Sequence, residues 1–156
     1  MSVVPSLDDL QSHSVALSHG FRVSVQSRYL SKHSRPVDHQ YVWSYTIRIE
    51  NIDAKPAKLL TRHWVISDAK GHTEEVRGPG VVGRQPHLAP GQGFEYSSGC
   101  PLRTSYGTMR GTFQMSGDDG TAFDIDVAPF LLILAGVVLL VTYVPWLSVG
   151  ILELTK

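Results

Sequence analysis

Between residues 21 and 127, hydrophobic and polar positions alternate with period two, the spacing that sends successive side chains to opposite faces of a strand. Tyr41, Trp43, Tyr45, Ile47 and Ile49 form the clearest stripe, opposite Val42, Ser44, Thr46, Arg48 and Glu50. Phe21, Val23 and Val25 oppose Arg22, Ser24 and Gln26 in the same way. Met109, Phe113 and Met115 share one parity with Gly111 between them, and Phe123, Ile125 and Val127 oppose Asp124 and Asp126. Leu59–Ile66 reads as a strand with apolar residues on both faces, so the pattern leaves its inward face open. Asp68-Ala69-Lys70-Gly71 and Gly117-Asp118-Asp119-Gly120 have the composition of hairpin loops, and Ala89-Pro90-Gly91-Gln92 that of a type II turn. About seven strands without a helix between them predict an antiparallel β-sandwich over residues 21–128, with its aromatic core in Tyr41, Trp43, Tyr45, Trp64, Phe113 and Phe123.

The two ends depart from this pattern. Residues 1–20 form an N-terminal extension in which Ser6 is placed to cap a short, mostly polar helix over Leu7–Leu17. It lacks the basic and apolar regions of a secretory signal. Residues 129–156 form an apolar tail, with no charge from Pro129 to Leu152. As a helix that run spans about 36 Å, against a hydrocarbon core of roughly 30 Å. The expectation is a transmembrane helix over about Phe130–Leu152, anchoring a cytoplasmic sandwich; a strand-forming or buried tail is the alternative.

Composition narrows the chemistry. Lys and Arg number 14 and Asp and Glu 14, so the net charge is zero and no basic footprint for nucleic acid exists. A lone Cys100 excludes an internal disulfide and a multi-thiolate zinc site. The serines and Cys100 lie in no nucleophile elbow or ordered triad, so no catalytic residue and no cofactor is assigned. None of the seven histidines forms an i, i+4 metal pair; His63 and His87 are the two that the fold has to place. Asp118, Asp119, Asp124 and Asp126 could offer oxygens to a hard cation, but a solvated strand face and hairpin is the stronger reading, and no metal site is assigned.

Several motifs in order resemble the ApaG family. They are Val23–Ser27, Tyr41–Asn51, Leu59–Trp64, Glu75–Gly83, Gln85-Pro86, Leu88–Gly91, Tyr96–Gly99, Gly107–Gly111 and Phe123–Leu131. The resemblance implies a fibronectin type III-like sandwich. It also implies a link to cobalt and magnesium resistance or efflux in bacterial members, and partner-binding roles in related eukaryotic domains. It implies no catalytic activity.

Gly78-Pro79-Gly80-Val81-Val82-Gly83 satisfies G-x-G-x-x-G, yet Arg84-Gln85-Pro86 follows where a dinucleotide site needs a helix. A weak anion nest remains conceivable, with Gly78, Gly80 and Gly83 letting the backbone approach phosphate or pyrophosphate and Arg77 and Arg84 adding charge. A purely structural loop is the stronger reading. The function expected is a non-catalytic binding module for phosphate, pyrophosphate or a protein partner, associated with divalent-cation homeostasis. The alternative is an enzyme acting on nucleotides or polyphosphates through that loop.

Overall fold

The computed structural model describes residues 11–134. Among these residues nine strands run in order: β1 (Gln11–Ser18), β2 (Phe21–Tyr29), β3 (Tyr41–Asn51), β4 (Ala57–Asp68), β5 (Thr73–Pro79), β6 (His87–Leu88), β7 (Gly93–Leu102), β8 (Gly107–Gly117) and β9 (Ala122–Leu132). All pairings are antiparallel. One sheet has the order β1-β2-β3-β7 and the other β5-β4-β8-β9, with the short β6 beside β4. The β-sandwich expected from the alternation is present. Phe21, Val23, Trp43, Ile47, Ile49, Leu59, Phe113 and Ile125 are fully buried between the sheets. Tyr41 and Phe123 sit at its margin, only partly buried.

The turns follow from their residues. Gly71 and Gly91 both take φ of +84°, and Gln92 N–H donates to Ala89 C=O at 2.9 Å, as a type II turn requires. Asp68 caps its own hairpin, its carboxylate accepting from the amides of Lys70 and His72.

Both ends correct the reading from sequence. Residues 11–17, predicted as the end of a helix, form strand β1, paired residue for residue with β2. Its polarity is inverted. Ser12, Ser14, Ala16 and Ser18 point toward the other sheet, while Leu17 is 72% exposed. The serine hydroxyls bind the backbone of β9: Ser12 to Leu131 C=O at 2.8 Å, Ser14 to Ala128 C=O at 3.0 Å. Asp126 N–H donates to Ser18 Oγ at 2.9 Å. A pattern that equates inward with apolar misses such a strand.

The transmembrane helix expected from Phe130 is overturned where the structure describes it. Phe130, Leu131 and Leu132 belong to β9, and Phe130 and Leu132 are buried in the core. Trp43 Nε1–H then fixes the following residue through Ile133 C=O at 3.1 Å. Among the described residues no helix is long and apolar enough to cross a membrane. The remainder of the expected span, from residue 135, lies outside the described residues. The misreading has a physical origin. A bulge at Ala128-Pro129 makes Val127 and Phe130, three residues apart, both face inward, which breaks the period of two before the strand ends.

The packing predicts that Trp43→Ala lowers unfolding free energy by about 3–5 kcal/mol, read from urea denaturation. A loss within about 0.5 kcal/mol, the range of surface substitutions, would place Trp43 outside the core.

Candidate functional site

The flank of the sandwich opposite β1 and β9 is bounded by β5 and β7, which do not pair with each other. A cleft of about 370 Å³ opens there. Tyr45 and Trp64 form its floor with Tyr96 and Met109, and Arg62, Val76, Val81, Val82, Ser98 and Cys100 line its walls.

A bulge at Leu60 builds this site. Pairing with β8 shifts register between Leu59 and Thr61, so Leu59 faces the core before the bulge and Trp64 after it. The same shift brings Arg62 onto the inward parity of β4. Arg62 Nη1 donates to Pro79 C=O and Gly80 C=O, both at 2.9 Å. Gly78 leaves room for this guanidinium, since a Cβ there would lie 3.0 Å from Arg62 Nη1. The bulged Leu60 C=O in turn accepts from Gly80 N–H at 2.8 Å and Gln85 Nε2 at 2.9 Å.

These bonds seat the glycine-rich segment as a tight hairpin. Val81 and Arg84 exchange backbone bonds at 2.8 and 2.9 Å around Val82 and Gly83. Both central residues have positive φ, 42° at Val82 and 78° at Gly83, the pattern of a type I′ turn. Gly80 is required by close approach, because a Cβ would stand 2.3 Å from Arg84 C=O. Val81 is fully buried, whereas Val82 is 56% exposed. A β-branched residue in the left-handed region is strained by about 1–2 kcal/mol.

The predicted anion-site residues are thus neighbours, but much of their donor capacity is already used. Gly78 lies in the β4–β5 ladder, and the amides of Gly80, Val81 and Arg84 bond within the protein. Arg77 lies 3.5 Å from Glu75 on the outer face. The amides of Val82 and Gly83 and the Arg84 side chain have no acceptor among the described residues. His63 and His87 are not joined as a metal pair: His63 meets Glu75 at 2.7 Å and His87 meets Asp118 at 2.9 Å. Asp119 turns to Thr121 N–H at 3.0 Å. Among the described residues no group of three or more His, Cys, Asp or Glu could hold a metal.

Two polar atoms beneath the cleft stand out, and no local sequence pattern signals them. Trp64 Nε1 and Tyr96 Oη are buried without a hydrogen-bond partner among the described residues. Trp43, by contrast, has its indole satisfied by Ile133. Burial pushes the Tyr96 phenol well above its ordinary range, with Tyr45 adding to the effect and Arg62 opposing it. Burial likewise raises Tyr45, against a hydrogen bond from Ser98. The Cys100 thiol is pushed up to about 11 by burial and by the charge of Glu74, which makes it a poor nucleophile.

Two measurements follow. Alkylation of native Cys100 at pH 8 should run about two orders of magnitude slower than that of free cysteine, from thiolate fraction alone. A rate near that of free cysteine would mean an exposed, reactive thiol. Tyr96→Phe, which removes an unpartnered hydroxyl, should raise unfolding free energy by about 1 kcal/mol or more. Destabilisation by that amount would show that Oη is satisfied in the folded chain.

Similar architecture and sequence occur in other proteins. The sequence model of the ApaG domain matches residues 31–117. Protein ApaG of Bordetella pertussis is 53% identical over 110 residues, covering 70% of this chain and 84% of its own length. Protein ApaG of Brucella anthropi is 50% identical over 117 residues, covering 75% and 90%. A crystal structure of the ApaA protein from Bordetella pertussis superposes with a TM-score of 0.72 at 50% identity, covering 74% of this chain and 94% of that one. Family match, sequence identity and superposition agree, and the chain belongs to the ApaG family.

Proposed function

We propose that this ApaG-family chain is a non-catalytic binding module that takes its ligand on the open flank, in the cleft and against the hairpin on its rim. The observation that carries this reading is the asymmetry of the sandwich. One flank is closed by serine bonds from β1 to β9, and the other retains a cleft of about 370 Å³ between β5 and β7. That volume lies near the lower end of the range of about 300–1,000 Å³ for small-molecule sites. The absence of catalysis is supported by the suppressed nucleophilicity of Cys100 and by His63 and His87, each paired with a surface carboxylate.

Phosphate or pyrophosphate at the hairpin is the specific form of this reading that the sequence suggested. It is supported by the two free amides of Val82 and Gly83 beside Arg84. With so few donors and no helix dipole, affinity is near millimolar, roughly −4 kcal/mol. The association with cobalt and magnesium homeostasis would then be indirect, through an anionic ligand or a protein partner that the module engages.

The test combines a titration with a turnover assay. Pyrophosphate at low salt should shift the amides of Val82, Gly83 and Arg84, with the response lost in Arg84→Ala and weakened by salt. Absence of shifts at about 5 mM ligand, several times that affinity, would remove the hairpin from the binding surface. Release of product from a nucleoside triphosphate with Mg²⁺ would replace the binding module with the enzyme alternative.

A further inference from the structure

The inference rests on the binding-module reading and specifies the ligand of the cleft. We propose that the cleft binds a small monocarboxylic acid with an apolar body, its carboxylate received by Trp64 Nε1–H, Tyr96 Oη–H and the guanidinium of Arg62.

The chemistry of the lining selects this class. Trp64 Nε1–H can only donate, and it has no acceptor among the described residues. Tyr96 Oη is equally unpartnered, and both side chains line the same cleft. A buried donor left unsatisfied is unfavourable, so an acceptor brought by a ligand gains a hydrogen bond without breaking one. Arg62 supplies the charge. Its Nη1 is held by Pro79 and Gly80, and its remaining N–H groups have no acceptor among the described residues. The guanidinium acts on both phenols, opposing the rise of the Tyr45 and Tyr96 pKa values, which locates its field at this end of the cleft. Two neutral donors and one cation lining the same cleft match a carboxylate rather than an amine.

The rest of the cleft sets the body of the ligand. Val76, Val81, Val82, Ile66 and Met109 supply apolar walls. Glu74 lines the cleft toward Cys100, where its charge raises the thiol pKa. A second acid group there would meet like charge, so the ligand carries one carboxylate. Because Trp64 Nε1 and Tyr96 Oη are shut off from solvent, the acid enters as the rim moves. The segment placed to move is the Val81–Arg84 hairpin, where Val82 holds a strained φ of 42° and lines the cleft.

The full-length chain labelled with ¹⁵N provides the test. The Trp64 indole N–H resonance is identified by its loss in Trp64→Phe. The probes are isobutyrate, 4-methylvalerate, phenylacetate and indole-3-acetate, with phenethylamine and 2-phenylethanol as controls. At least one acid should shift the Trp64 indole resonance downfield and saturably, while the amine leaves it in place. Tyr96→Phe, which keeps the ring, should weaken that acid about tenfold, the size expected for one charge-assisted bond. No saturable indole shift from any acid up to about 20 mM, weaker than most specific small-ligand binding, would overturn the cleft ligand. Equal binding of the amine, or no effect of Tyr96→Phe, would overturn the carboxylate assignment while leaving a binding module. Shifts confined to Val82, Gly83 and Arg84 would assign the acids to the rim and likewise overturn the cleft.

Discussion

A sandwich of two open sheets has four edges, and each edge presents backbone N–H and C=O groups that must find partners or water. In this chain one pair of edges is closed by side-chain hydroxyls. Ser12, Ser14 and Ser18 on β1 reach the backbone of β9, and the buried Ser27 on β2 donates to Leu131 C=O at 2.7 Å. This closure lets the chain end of the sandwich pack as core. Phe130 and Leu132 are buried where these serine bonds hold β9 against β1 and β2. Small inward residues are what the geometry demands, since a large side chain at Ser12 or Ser14 would hold the edges apart. No equivalent row closes β5 against β7, and the cleft is the consequence.

One bulge converts a regular sandwich into one with a site. At Leu60 the bulge reverses parity, so Arg62 and Trp64 replace Thr61 and His63 on the inward side. The displaced Leu60 carbonyl then anchors the Gly80–Gln85 hairpin, and Val81 enters the core as its plug. Arg62 ties the hairpin to the cleft from the other side, through Pro79 and Gly80. Asn51 has a comparable structural role at the far end of β3. It is almost fully buried, donates to Leu88 C=O at 3.0 Å and accepts from Ala54 N–H at 2.8 Å. Such satisfied polar groups fix which way the loops dock.

The sandwich was legible in the sequence wherever inward meant apolar. The stripe Trp43, Tyr45, Ile47 and Ile49 and the Met109–Met115 parity both lie in the core as the alternation requires. Turns built on glycine φ, such as Pro90-Gly91, were equally readable, because only a few residues fit them. The failures share one cause, which is that hydrophobic periodicity is blind to polar contacts and to bulges. Strand β1 turns half-buried serines inward and exposes Val15 and Leu17, so its pattern mimics a frayed helix. The bulge at Ala128-Pro129 made the end of β9 look like the start of an uninterrupted apolar helix. In the candidate site, the sequence located the hairpin and its arginines but not the bonds that occupy its amides. Trp64 and Tyr96 were legible as core aromatics; their missing partners depend on long-range placement that no local pattern encodes.

The unsatisfied atoms and the strained turn lie around one cleft, and that coincidence has an energetic meaning. Two buried unpartnered donors disfavour folding by about 1–3 kcal/mol each, and a left-handed valine adds about 1–2. A domain stabilised by roughly 5–15 kcal/mol has little reason to concentrate such terms in one place unless they are relieved in another state. Elsewhere this chain satisfies its buried polar groups with economy. Trp43 finds Ile133, Asn51 finds three partners, and Ser27 finds two. Packing could remove the terms at the cleft with a phenylalanine at 96 and a glycine or asparagine at 82, each a small change of side chain. Retaining tyrosine and valine there is what a site requires when its donors are held in place before the acceptor arrives.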